Sequence, residues 1–193
     1  MTPSTPLNPS LARELLARAD RAADQWGRRA RERLDSVQLG RARQEDVANG
    51  KVIQFVIDEH GWPGHRLVGP DAAQAAWRLA LHADDLPLFQ ARAARLMRRA
   101  VDRGDAHAHH WAHLHDRALL NNGALQEFGT QYLLGPDGPH ACPVLDPDGL
   151  DARRAEAGLP PAAVALAELR ERLTASPRDT TTETITLTAL DVA

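Results

Sequence analysis

The sequence predicts a mainly α-helical protein: a compact, bundle-like helical domain with one short β-hairpin near residues 128–145. Three observations lead there. Aromatic residues are only 4% of the 193 residues while hydrophobic residues reach 43%, so the core has to be built from Ala, Leu and Val. Alanine has the best helix propensity and fits between closely packed helices. Apolar residues recur at helical spacing through much of the first two thirds of the chain. After that, two short apolar-rich runs, 128–134 and 141–145, flank Gly135-Pro136-Asp137-Gly138, which has the composition of a tight turn.

The elements follow in order. Residues 1–9 are polar and proline-rich and form a flexible leader. Asn8-Pro9 starts the first helix, because Asn caps well and Pro suits the first turn. Leu11, Leu15, Ala19, Ala22 and Trp26 share one face, and Gly40 ends this region. A second helix runs from about Gln44 to Glu59 with Val47, Val52, Phe55 and Val56 as its apolar positions. Gly61-Trp62-Pro63-Gly64 stops it. The third, Asp71 to His82, turns Ala72, Ala75, Ala76, Leu79 and Ala80 inward. The fourth spans Leu86 to Arg103 and the fifth Ala108 to Leu120. A short helix within 146–159 ends at Gly158, and a last one runs from Pro160 to Ala175. Residues 10–175 thus form one domain. The Thr-rich tail, 176–193, is either an edge strand around Ile185 and Leu187 or loose.

Composition narrows the function. Basic and acidic residues nearly balance, 23 against 26, with a net charge of -3, so no basic excess directs the chain to nucleic acid or an anionic membrane. Cys142 is the single cysteine and has no internal disulfide partner, as suits a cytoplasmic protein. No signal-peptide core precedes Pro9, and no apolar run approaches the ~20 residues needed to span a bilayer.

Several residue groups can carry chemistry. His82-Ala83-Asp84 falls at a helix end. An imidazole beside a carboxylate suits general acid/base work. Residues two apart do not face each other within a helix, so the pair works only if the helix breaks between them. On local pattern alone, both residues read first as helix caps. Asp116-Arg117 supplies a carboxylate and a guanidinium fork matched to anions, or else a structural ion pair. Gly129-Thr130-Gln131 offers close backbone approach with polar side chains, or else an ordinary strand start. Trp62, on its Gly/Pro turn, walls a pocket or plugs the bundle end. His107, His109, His110, His113 and His115 form a polar run in which His109 and His113 lie one turn apart. That run could bind zinc, but it lacks the Glu of the His-Glu-x-x-His pattern and any Cys partner. A partly solvated helix face is the simpler explanation. No Gly-rich phosphate loop, Ser nucleophile elbow or Cys-His pair with family spacing is present, and no cofactor is implied.

The order of these segments is similar to that of a bacterial family catalogued only as a domain of unknown function. The resemblance runs over about residues 45–173. It is carried by Asp58-Glu59-His60-Gly61-Trp62-Pro63, Trp77, His82-Ala83-Asp84, Phe89-Gln90, Asp116-Arg117, Gln126, Gly129-Thr130-Gln131, Arg153-Arg154 and Gly158-Leu159. It implies a shared helical fold and no particular activity. It singles out His82, Asp84, Arg117, Gln126, Thr130 and Gln131. Leu81 stands where Gln is expected, Phe128 where Tyr is usual, and His113 where Tyr is usual.

Three function classes follow. The first is a small enzyme acting on a small molecule or peptide. In it His82 is the general acid/base, Asp84 its orienting partner, Arg117 an anion clamp, and Gln126, Thr130 and Gln131 bind substrate, with Trp62 walling the cleft. The second is a non-catalytic ligand-binding or regulatory module using the same groups. The third is a metal-binding protein using the His107–His115 run.

Overall fold

A computed structural model describes residues 5–31, 34–135, 137–175 and 185–188. The described residues form eight helices and a three-stranded sheet: α1 (Pro9–Arg31), α2 (Ser36–His60), α3 (His65–Val68), α4 (Pro70–Leu81), α5 (Pro87–Asp102), α6 (Ala108–Asn121), β1 (Gln131–Gly135), β2 (Gly138–Ala141), α7 (Leu150–Glu156), α8 (Ala162–Ala175) and β3 (Ile185–Thr188). The mainly helical class with a hairpin is as the sequence predicts.

The centre of the bundle is α4. It touches α1, α2, α3, α5 and α6. Its sequence explains this. Ala72, Ala73, Ala75, Ala76 and Ala80 are all buried and let neighbouring helices come close on several sides, while Trp77, Leu79 and Leu81 fill the space between. Ala12, Leu15, Ala19, Ala22 and Trp26 pack α1 along α4. Ala93, Ala94, Met97 and Ala100 line the buried face of α5, which packs on α6.

The second helix departs from expectation. It starts eight residues earlier than Gln44, because Asp35 closes a capping box with Gln38: the Gln38 amide donates to the Asp35 carboxylate (2.8 Å) and the Asp35 amide to the Gln38 side chain (2.9 Å). Gly40 therefore sits inside α2, where its Cβ position meets nothing, instead of ending a helix. The buried face of α2 is also different. Phe55 is 62% exposed, and the inward residues are Ala42, Asp46, Asn49, Gly50, Ile53, Val56 and Ile57. That face mixes apolar and polar residues, which blurs the helical periodicity from which inward positions are read.

The hairpin forms around Gly135, paired with Gly138, so β2 begins three residues before the apolar run at 141. β3 joins the other edge of β1, giving the order β2-β1-β3 with both pairings antiparallel. The edge-strand alternative for Ile185–Thr188 is thus the one observed. The leader joins the fold at its end, where Leu7 and Asn8 amides donate to the carbonyls of Arg66 and Leu67 (3.2 and 2.8 Å). Residues 1–4, 176–184 and 189–193 lie outside the described residues. A small second core of Tyr132, Leu134 and Leu169 fastens α8 to the sheet.

Candidate active site

Helix α4 ends at Leu81, and His82 is its C-cap. The helix thus ends before both His82 and Asp84, and the charge of His82 reaches Asp84. A close approach from α2 makes room for this. A Cβ on Gly50 would lie 2.9 Å from both the Ala83 Cβ and a Leu86 methyl, so only glycine lets α2 come this near the 82–86 turn.

His82 is 7% exposed and stacks on Trp26 of α1, with ring centroids 4.0 Å apart and planes at 12°. The Trp26 indole N–H donates to the buried Asp46 carboxylate (2.9 Å), which also receives Arg29 (2.7 Å). The Arg78 guanidinium covers the Trp26 ring at 4.9 Å. Asp46 and Asp84 both lie where the charge of His82 acts on them. Asp46 is the functional candidate that the sequence did not indicate. It reads as one polar residue among several in α2, and only the packing of α1, α2 and α4 brings it to His82.

The two carboxylates differ. Burial pushes the Asp46 carboxyl above the usual range, and His82, the Trp26 N–H and Arg29 offset this only in part. Burial also works against ionised Asp84, but the Arg117 guanidinium beside it outweighs burial and holds it well below the usual range. Arg117 grips Asp84 with both teeth of its fork, Nε to Oδ1 at 2.8 Å and Nη2 to Oδ2 at 2.6 Å. Asn121 donates to the same carboxylate (2.8 Å) and to the Gln90 side chain (2.9 Å). Gln90 in turn donates to the Leu81 carbonyl (2.9 Å) and so closes the end of α4.

Arg117 is therefore committed to Asp84. Its remaining nitrogen donates to Gln131 (3.2 Å), so it is no open anion clamp. Gln126, Thr130 and Gln131 are also fully buried and spoken for. Gln126 donates to the Cys142 carbonyl (2.6 Å) and accepts from the Gln131 amide (3.0 Å). The Gln131 side chain donates to the Thr130 hydroxyl oxygen (2.9 Å).

These residues belong to a clamp on the 127–131 loop. Gly129 takes a φ of +60°, and the amides around it converge. The buried Asp116 carboxylate accepts from the amides of Glu127 (2.8 Å), Phe128 (3.0 Å) and Thr130 (2.9 Å) and from the Thr130 hydroxyl (2.9 Å). From the other side the buried Arg154 donates to the carbonyls of Phe128 (2.6 Å) and Gly129 (3.0 Å). An anion thus satisfies three of the loop's N–H groups and a cation two of its C=O groups, which offsets the cost of burying them. The spacing of Asp116-Arg117 with Gly129-Thr130-Gln131 is explained by this loop and by the tie from Arg117 to Asp84, without a ligand.

Trp62 does not join His82. It is buried beside a cavity that it shares with Arg99 on α5, whereas Gln90 at the other end of the same helix reaches Asp84. Nine helical residues separate those ends by about 14 Å. The expectation of one cleft holding both residues is corrected accordingly, because α4 and α5 run between the two ends.

The histidine run does cluster. His107 packs near His65 (4.6 Å), His109 (5.2 Å) and His110 (5.4 Å), and His110 stacks on Trp77 at 3.9 Å. Burial, then the neighbouring His109, pull His110 down to about 3. Among the described residues no three His, Cys, Asp or Glu side chains are arranged to hold one metal ion. Cys142 is buried and its thiol is pushed up by that burial, which keeps it unreactive. No helix among the described residues is long and apolar enough to cross a membrane.

The model of a family of unknown function, DUF6624, matches residues 9–173, and the chain belongs to that family. No curated protein and no solved structure matches it.

Proposed function

We propose that this member of the family is a small enzyme that performs acid/base chemistry on a small molecule or peptide, with His82 as the proton-transferring group. The observation that carries this is the pair of unlike carboxylates acting on one imidazole: Asp46 raised by burial and Asp84 held ionised by Arg117. Environments that push neighbouring titratable groups apart are how a fold assigns acid and base roles near neutral pH. Asp84 keeps the role of orienting anion, now fixed by Arg117 and Asn121. Asp46 takes the second proton-exchanging position. The buried Asn49 side-chain nitrogen has no acceptor among the described residues and lies three residues from Asp46, hence on the same helix face. A substrate carbonyl or carboxylate would satisfy it. Arg117, Gln126, Thr130 and Gln131 then support the site and do not touch substrate.

A second possibility is a binding module without turnover. It is favoured by the near-complete burial of His82 and by the saturated bonding of the residues around Arg117. The net charge of -3 argues against a nucleic-acid partner, and the one buried free cysteine suits a cytoplasmic setting.

One experiment separates the two. Native protein and His82→Ala are incubated with mixtures of metabolites and short peptides, and consumption is followed by mass spectrometry. Compounds consumed by the native protein and spared by the equally folded variant support the enzyme. If native protein and variant leave every compound unchanged, while a compound still binds the native protein, the binding module takes its place.

A further inference from the structure

At the far end of α4 and α5 from His82 lies a cavity of about 310 Å³, near the lower limit for small-molecule sites. Its lining includes the apolar Trp62, Leu67 and Leu96 and the basic Arg66, Arg99 and Arg103. Among the described residues none of these three guanidinium groups has an ion-pair or hydrogen-bond partner. Trp62 is 5% exposed, and its indole N–H is shut off from solvent with no acceptor among the described residues. A buried donor left unmade costs about 1–3 kcal/mol, so a protein has reason to supply its acceptor. One carboxylate, Asp105, also borders the cavity. It is engaged by the Arg66 amide (2.8 Å), and the Asp105 carbonyl accepts from the His65 amide (3.0 Å), which fixes the turn carrying Trp62 and Arg66. Gly64 is required there, since a Cβ would fall within 2.5 Å of the Asp105 carboxyl group.

The C-terminal end of a helix attracts cations, which accounts for Arg99 and Arg103 at the end of α5. It does not account for the convergence of Arg66 from α3 with Arg99 and Arg103 from the end of α5 on one cavity, nor for the orphaned indole N–H. We propose that this cavity binds a small organic anion, a phosphate monoester or a carboxylate. Its charged group would lie between the guanidinium forks with one oxygen turned to the Trp62 N–H, and its apolar part would lie against the Trp62 ring, Leu67 and Leu96. Arginine is the side chain suited to both anions, because its planar fork matches their oxygens two at a time. The site is independent of His82.

Phenyl phosphate and benzoate, titrated calorimetrically into the full chain, test this, with inorganic phosphate as the comparison. Saturable binding of either aromatic anion is expected, and whichever binds tighter identifies the charged group. The Arg99→Ala/Arg103→Ala double variant, whose exposed side chains leave the core intact, should bind about ten-fold more weakly or worse. Trp62→Phe keeps the apolar wall, lacks the N–H, and should weaken binding several-fold. His82→Ala should bind as the native protein does, so a failed acid/base assay leaves this result unaffected. Absence of saturable binding by both aromatic anions up to tens of millimolar overturns the proposal. So does unchanged binding by the double variant, or inorganic phosphate binding as tightly as phenyl phosphate.

Discussion

Arg117 and Asp84 meet as a two-pronged ion pair, with contacts of 2.8 and 2.6 Å, across the junction between α6 and the turn that follows α4. The Arg117 side chain is 5% exposed and that of Asp84 32%, so the arginine is the partner that cannot recover its lost bonds from water. Removing one member of a buried pair costs about 3–5 kcal/mol, and the partial hydration of Asp84 places Arg117→Ala near the lower end, about 3 kcal/mol. Arg117→Lys keeps the charge but loses the fork, and should cost less. Urea unfolding of the three proteins checks the order. An Arg117→Ala protein as stable as the native one would mean that the pair does not hold α6 to the α4 turn.

Asp116→Asn should be destabilising, although the two side chains have the same shape. The carboxylate accepts from three backbone amides and one hydroxyl, whereas an amide offers a single acceptor oxygen and turns an NH2 group toward N–H donors. Hydrogen bonds to a charged group contribute about 1.5–3 kcal/mol, and at least one is lost. Hydrogen exchange should show the amides of Glu127, Phe128 and Thr130 opening first. Unchanged protection at those amides would contradict the clamp.

Gly50→Ala tests helix propensity against packing. Position 50 lies inside α2, where alanine is intrinsically better than glycine by about 1 kcal/mol. The added methyl would sit 2.9 Å from the Ala83 Cβ, which cannot swing away because it is attached directly to the backbone. Overpacking of this kind costs about 1–3 kcal/mol, so the net change should be a loss. The same shift would part Asp46 from His82 and should lower any turnover that depends on them. A stabilised variant in thermal melts would show that α2 and the 82–86 turn part freely.

The histidine cluster should make the fold sensitive to acid. Burial, then neighbouring imidazoles, lower His109 and bring His110 to about 3; burial and His107 outweigh Asp105 to lower His65. A lowered imidazole means that the unfolded chain binds more protons below about pH 6.5, so stability rises with pH there. The contribution is complete above the unfolded value and is lost as pH falls toward the folded one. For His110 this is at most about 2 kcal/mol between pH 6.5 and 5, and less after solvent screening of a half-buried ring. Asp46 and Asp116, both raised by burial, push the other way on acidification. The comparison is therefore between native protein and His110→Gln, whose melting temperature should fall less from pH 6.5 to 5. Parallel curves for the two would remove His110 as a source.

By itself the sequence determined the helical class, the Ala-rich inward face of the helix expected over 71–82, the Gly/Pro turn at 61–64 and the hairpin, because these follow from local periodicity and backbone preference. The resemblance to its family marked His82, Asp84, Arg117, Gln126, Thr130 and Gln131 as a set. It could not assign their roles, since a polar residue bonded to its neighbours and one facing a ligand have the same chemistry in one dimension. Only the tertiary structure decided that Asp84 answers Arg117, and that Gln126 and Gln131 answer each other across the loop held by Asp116 and Arg154. It also brought Asp46 and Trp26, from two other helices, to His82. Contacts between residues 20 to 56 positions apart leave no periodic trace in the chain, and Trp62 was separated from His82 for the same reason: the length of α4 and α5, not their sequence distance, sets which ends meet.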